Sequence, residues 1–168
     1  MARIRMKLGE MLVDAGLMTR ETLEDNLVEQ ERSGMRLGQF LINKGVFSED
    51  QIVEFISKQL KIKRYTPEDY PIDENLGVLV KLDFARQYNI APLYRQHNLL
   101  YVAMLDPMDI NAIDSLEILT NIEVEPVICT QEDLKDLLSL VYEDISGLGS
   151  VLQKMEGMES ASVELETS

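Results

Sequence analysis

The sequence predicts an α+β fold, in which an N-terminal four-helix lobe of two repeated helix pairs is followed by a small mixed α/β lobe. Three observations carry this. A block of 24 residues, Lys7 to Gln30, is echoed by Arg36 to Gln59 after a five-residue spacer, so the period is 29 with no insertion; such a period marks stacked supersecondary units. The stretch from Lys61 to Pro71 then ends the helical pattern with two prolines and two tyrosines. Beyond it, short apolar runs alternate with helix-length segments, the texture of a small sheet with covering helices.

In the repeat, Lys7-Leu8-Gly9 is matched by Arg36-Leu37-Gly38, Leu12 by Leu41, Gly16 by Gly45, Leu23 and Leu27 by Ile52 and Ile56, and Gln30 by Gln59. Each copy reads as a short helix, a tight turn and a longer helix. Gly16 and Gly45 stand where a left-handed residue closes the first helix. Thr19 is the expected N-cap of the second helix in copy one, whose apolar stripe is Leu23, Leu27 and Val28. Ser48-Glu49-Asp50-Gln51 has capping-box spacing and opens a helix from about Glu49 to Leu60, with Ile52, Phe55, Ile56 and Gln59 along one side.

After the connector at 61–71, Asn75 to Val80 reads as a short helical turn and Leu82 to Tyr88 as a second one started by Asp83. Ile90 to Arg95 reads as a strand whose Pro92 places it at an edge, Gln96-His97-Asn98 as a hairpin turn, and the more apolar Leu99 to Met104 as a central strand. Asp109 can cap a helix through Leu119 that turns Ile110, Ile113, Leu116 and Ile118 or Leu119 inward. Val124 to Ile128 is a third strand, and Thr130 caps a last helix carrying Leu134, Leu137, Leu138 and Val141 to about Asp144. The resulting division is a helical lobe at 1–60, the connector, an α/β lobe at 72–145, and a tail or linker at 146–168, where Gly, Ser, Met and Glu dominate.

Composition narrows the function. A formal charge of −14 disfavours binding to a DNA or RNA polymer. The local cluster Arg3, Arg5 and Lys7, with Arg36 opening the second copy, suits a discrete anion instead. Cys129 is the only cysteine, so no intrachain disulfide forms, which fits a cytoplasmic setting. No apolar run approaches membrane-spanning length, and the first residues lead into no signal-peptide core. His97 is the sole histidine and sits in a polar turn, without partners at ligand spacing. Asp106 and Asp109 are explained by turn formation and helix capping. Neither a GxxxxGK[ST] loop nor GxGxxG spacing occurs. No metal and no catalytic residues are expected, and the chain reads as a binding module.

The repeat is the candidate site. Each copy sets a cation, an apolar residue and a glycine at a helix start, offering a phosphate a side-chain charge, free backbone N–H groups and the positive helix end. Two copies suit a ligand with two phosphates and two bases. The alternative is that Leu, Gly and Gln recur only because two helix pairs stack.

The paired motif resembles the N-terminal domain of type II secretion and type IV pilus assembly ATPases, whose pattern is approximately RLGxxLxxxGxxxxxxLxxxLxxQ, twice. Tyr88-Asn89-Ile90-Ala91-Pro92-Leu93 and Leu100 to Asp109 are similar to the same family's second lobe. The resemblance implies cyclic di-GMP as a regulatory ligand, held by Lys7, Leu8, Gly9, Leu12, Gly16, Leu23, Leu27 and Gln30 from one copy. The second contributes Arg36, Leu37, Gly38, Leu41, Gly45, Ile52, Ile56 and Gln59. Cations and first-turn backbone take the guanine and phosphate edges, leucines lie against the ligand, and glutamines hydrogen-bond it or brace the helices. Lys7 departs from the family's arginine and loses its planar fork; Ile52 and Ile56 replace leucines and keep their bulk. The resemblance further implies an ATPase core as partner, and recruitment to the inner membrane through partners rather than by insertion. Its alternative is a domain that docks on the cytoplasmic part of an inner-membrane platform protein without binding nucleotide.

Overall fold

The computed structural model describes residues 7–142. The tail beyond Ser146, the helix end expected near Asp144, Arg3 and Arg5 lie outside them. The repeat forms four helices, α1 (Leu8–Asp14), α2 (Arg20–Ser33), α3 (Leu37–Lys44) and α4 (Glu49–Leu60). The two turns are alike in detail. Gly16 and Gly45 have φ of 76° and 85°. The next residues donate back to the helix, Leu17 N–H to Leu12 O at 2.9 Å and Val46 N–H to Leu41 O at 3.0 Å. Thr19 accepts from Thr22 N–H, and Ser48 with Gln51 makes a reciprocal capping box.

Close approach of α1, α2 and α3 depends on the motif glycines. A Cβ on Gly9 would stand 2.6 Å from Leu23 Cδ1 and 3.2 Å from Leu37 Cδ2, and one on Gly38 would stand 3.3 Å from Leu8 Cδ2. Each motif leucine therefore packs on the other copy's glycine. Leu8, Met11, Leu12, Leu23, Leu41, Ile52, Val53 and Ile56 form the lobe's core.

The expected stripe of α2 requires correction. Leu23 is buried, but Leu27 is 39% and Val28 56% exposed, and Asn26 takes the inward position. Asn26 donates Nδ2 to Thr22 O at 2.8 Å and accepts from Lys44 Nζ at 2.9 Å. α2 is an outer helix whose inner side, defined by Leu23 and Asn26, meets α1 and α3, so a residue one helical step off that line has no partner to cover it.

The second lobe runs α5 (Leu76–Leu79), α6 (Leu82–Tyr88), β1 (Ile90–Gln96), β2 (Leu99–Met104), α7 (Ile110–Thr120), β3 (Glu123–Ile128) and α8 (Gln131–Val141). The sheet order is β1-β2-β3, antiparallel between β1 and β2 and parallel between β2 and β3. β1 is an edge strand, where a residue without an N–H is tolerated, and its register shifts between Pro92 and Tyr94. His97, at φ 57°, turns the hairpin. Leu100, Val102 and Met104 face a core with Leu76, Ala85, Ile113 and Leu116, whereas Ala91, Leu93, Ala103 and Val127 face Leu134 and Leu137 of α8.

Two expectations here are corrected. Ile118 and Leu119 do not face inward, being 83% and 52% exposed, because Ala112, Ile113 and Leu116 complete the buried side of α7 within three helical turns. Lys81, rather than Asp83, is the N-cap of α6. The connector is anchored to the sheet. Tyr65 N–H donates to Ile128 O at 2.8 Å and Ile128 N–H to Lys63 O at 2.9 Å, so this segment pairs with the outer edge of β3. Ile128 and Met108 also pack into the helical lobe's core, joining the lobes through an apolar seam.

Candidate nucleotide-binding cleft

Above that seam, the lobes enclose a cleft of about 1350 Å³. From the first copy come Lys7, Leu8 and Gln30, and from the second Arg36, Leu37, Gly38, Ile52 and Ile56. The rest of the motif lies elsewhere. Leu12, Leu23 and Leu41 are core residues and Gly9 is a packing contact; Gly16 and Gly45 make turns; Leu27 and Gln59 are exposed. Opposite the repeat, the second lobe lines the cleft with Arg86, Asp106, Met108, Asp109, Gln131 and Lys135, none of which the repeat itself signals.

The helix starts place the two cations. Lys7 and Arg36 are the N-caps of α1 and α3, each in extended conformation and neither making a side-chain cap, in contrast to Thr19, Ser48, Asp109 and Thr130. Arg36 reaches across the cleft. Its Nη1 donates to Asp106 Oδ2 at 2.7 Å and its Nη2 to Asp109 Oδ2 at 2.9 Å. Both carboxylates are built into their turn, since Asp106 Oδ1 accepts from Met108 N–H at 3.0 Å and Asp109 Oδ1 from Ala112 N–H at 3.1 Å. Burial pushes the Asp106 carboxyl above its ordinary value, outweighing the opposing pull of Arg36. Lys7, Arg86 and Lys135 make no ion pair among the described residues.

The opposite rim is closed by a second polar clasp. Glu49 Oε2 accepts the Gln131 N–H at 2.8 Å, and the Gln131 side chain donates to Gln39 Oε1. Gln30 donates Nε2 to Met35 O and so braces the spacer between the copies. Leu8, Leu37, Ile52, Ile56 and Ile128 make the floor apolar, and the buried Cys129 thiol lies there with its titration pushed well up by desolvation. Cations at the rim over an apolar floor can hold a ligand that carries both phosphate and flat ring surface. Among the described residues no group of three or more His, Cys, Asp or Glu is placed to hold a metal ion, and no helix is long and apolar enough to cross a membrane.

Comparison with known proteins agrees with this architecture. The MshEN domain family matches residues 60–148, covering the connector and the second lobe. A type IV pilus assembly ATPase PilB of Myxococcus xanthus is 29% identical over 138 residues, which is 82% of this chain and 24% of the relative. The chain thus spans about a quarter of the length of that relative. A solved structure of MshE with cyclic di-GMP is 30% identical, with a TM-score of 0.70, and matches 82% of this chain and 100% of the other. The N-terminal domain of XpsE shares the fold at 23% identity, with a TM-score of 0.54 over 78% of this chain and 91% of the other. From its second-lobe match and its structural likeness across both lobes, this chain belongs to the MshEN domain family.

Proposed function

We propose that this chain is the regulatory N-terminal domain of a pilus or secretion assembly ATPase and that it binds cyclic di-GMP in the cleft between its lobes. The observation carrying this reading is that two stretches 29 residues apart bring Lys7, Leu8 and Gln30 together with Arg36, Leu37, Gly38, Ile52 and Ile56 on one cavity. A ligand with two bases and two phosphates uses two cations and an apolar floor at once, and a mononucleotide uses half of them. The MshE neighbour, which carries this nucleotide, supports the same choice.

In this role the chain has no catalysis of its own. Its partners are the ATPase core and the inner-membrane platform protein, and its setting is the cytoplasm, next to the membrane that the partner occupies. The nucleotide alters how the domain sits on the ATPase core. Calorimetric titration with cyclic di-GMP, beside GTP and the linear dinucleotide, tests the reading. Saturable binding of the cyclic form, lost in Arg36→Ala, is expected. No heat and no thermal protection at high ligand would leave the domain as a docking module for the platform protein.

A further inference from the structure

On the sheet face where Ala91, Leu93, Ala103 and Val127 meet α8, two more rows of residues stand toward the β1–β2 hairpin. Register sets Tyr94 beside Tyr101 and Tyr101 beside Glu125, then Gln96 beside Leu99 and Leu99 beside Glu123. Alternation along the strands puts both rows on this same face. The described residues leave them partly open: Tyr94, Leu99, Tyr101 and Glu125 are half-buried, and Gln96 and Glu123 are exposed. The rings of Tyr94 and Tyr101 are stacked, with centroids 4.5 Å apart and planes 5° apart, and the buried Tyr70 backs Tyr94 at 6.4 Å. Tyr94 thus covers one face of the Tyr101 ring, and the other face looks toward β3 and Glu125. Neither Glu123 nor Glu125 makes an ion pair among the described residues. Burial, with the neighbouring tyrosines and the carboxylates of Asp69 and Glu125 behind it, pushes the Tyr70 hydroxyl above its ordinary value.

We propose that this open face is a docking surface for an arginine side chain of a basic partner protein, with the guanidinium plane on the Tyr101 ring and its edge on Glu125. A guanidinium can stack on a ring by its face while its N–H fork bonds a carboxylate, whereas a lysine ammonium is a single point charge that serves one of them at a time. The stacked, backed tyrosines are already ordered, so little side-chain freedom is lost when the cation arrives. Charge selects the occupant. A second copy carries the same net charge of −14 and is repelled, and residues 143–168 hold six acids against one lysine, so the chain's own remainder is a poor source of the cation. None of the six residues lines the interlobe cleft, and the inference does not rest on the nucleotide reading.

The test is proton NMR of the whole chain titrated with the blocked peptide acetyl-Gly-Arg-Gly-Arg-Gly-amide and with its lysine counterpart. Ring current over Tyr101 moves the arginine δ-methylene protons upfield, and the expected result is saturable binding with that shift. The lysine peptide, Tyr101→Leu and Glu125→Gln should each bind about 2- to 5-fold more weakly, the scale of one exposed cation–ring or charge contact. Glu21→Gln removes one exposed acid from α2, far from these rows in the sequence, and should leave the affinity unchanged. Three results each overturn the proposal: no saturable binding of the arginine peptide, binding without the upfield shift, or equal affinity for the two peptides. An equal loss in Glu21→Gln and Glu125→Gln overturns it too, by reducing the attraction to diffuse net charge. Should Tyr101→Leu not fold, Glu125→Gln and the direction of the wild-type shift decide.

Discussion

Leu37 packs its Cδ2 3.2 Å from the place a Cβ would take on Gly9, and Leu8 packs 3.3 Å from the same place on Gly38. The two motifs thus interlock, each leucine lying against the other copy's missing side chain. This gives Gly9 and Gly38 a packing reason, independent of any ligand.

Gly9→Ala should therefore destabilise the chain by about 1–3 kcal/mol through overpacking. The added methyl would stand 2.6 Å from Leu23 Cδ1, and Leu23 is buried with little room to withdraw. Gly38→Ala meets only the Leu8 tip within 3.4 Å and should cost less. Chemical denaturation of both variants measures the difference, and equal costs would mean that Leu23 yields to the added methyl.

Tyr142 is fully buried and donates its hydroxyl to Val80 O, tying the end of α8 to the segment after α5. Tyr142→Phe keeps the ring and orphans that carbonyl, so a loss of about 1–3 kcal/mol is expected. A variant as stable as the parent would mean that Val80 O finds another partner.

Asp106 supplies a pH dependence with a definite sign. Its folded-state pKa lies above the ordinary 3.8 because it is buried, so the folded chain binds more protons than the unfolded one between the two values. Its contribution to stability is then greatest below the unfolded value and falls as pH rises through the folded one. Asp106→Asn should flatten this part of the melting temperature against pH curve in mildly acidic buffer, and an unaltered curve would assign the slope to another group.

Lys7→Arg restores the planar fork at the first half-site. On the nucleotide reading, cyclic di-GMP affinity should rise by roughly tenfold or less, the scale of one improved charge-assisted contact. Calorimetry decides it, and weaker binding by this variant would show that the first half-site is shaped around lysine.

The local code was legible from the chain alone because each signal is chemical and short in range. Ser48 and Gln51 cap α4, Thr130 caps α8, Gly16 and Gly45 turn left-handed, and Pro92 holds β1 to the sheet edge. The 29-residue period declared two equivalent helix pairs, and the motif resemblance pointed to the family. Periodicity states which residues share a side, but not which side finds a partner. Thus Leu27, Ile118 and Leu119 lie on the surface while Asn26 is buried against Lys44. Nor does spacing within a repeat reveal contacts 70 and 73 residues away, where Arg36 meets Asp106 and Asp109. Only the packing of the two lobes, through Ile128 and Met108, decided which half of the motif faces the cleft and which half holds the helices together. Local sequence sets backbone conformation residue by residue, whereas burial and charge pairing depend on what the rest of the folded chain brings alongside.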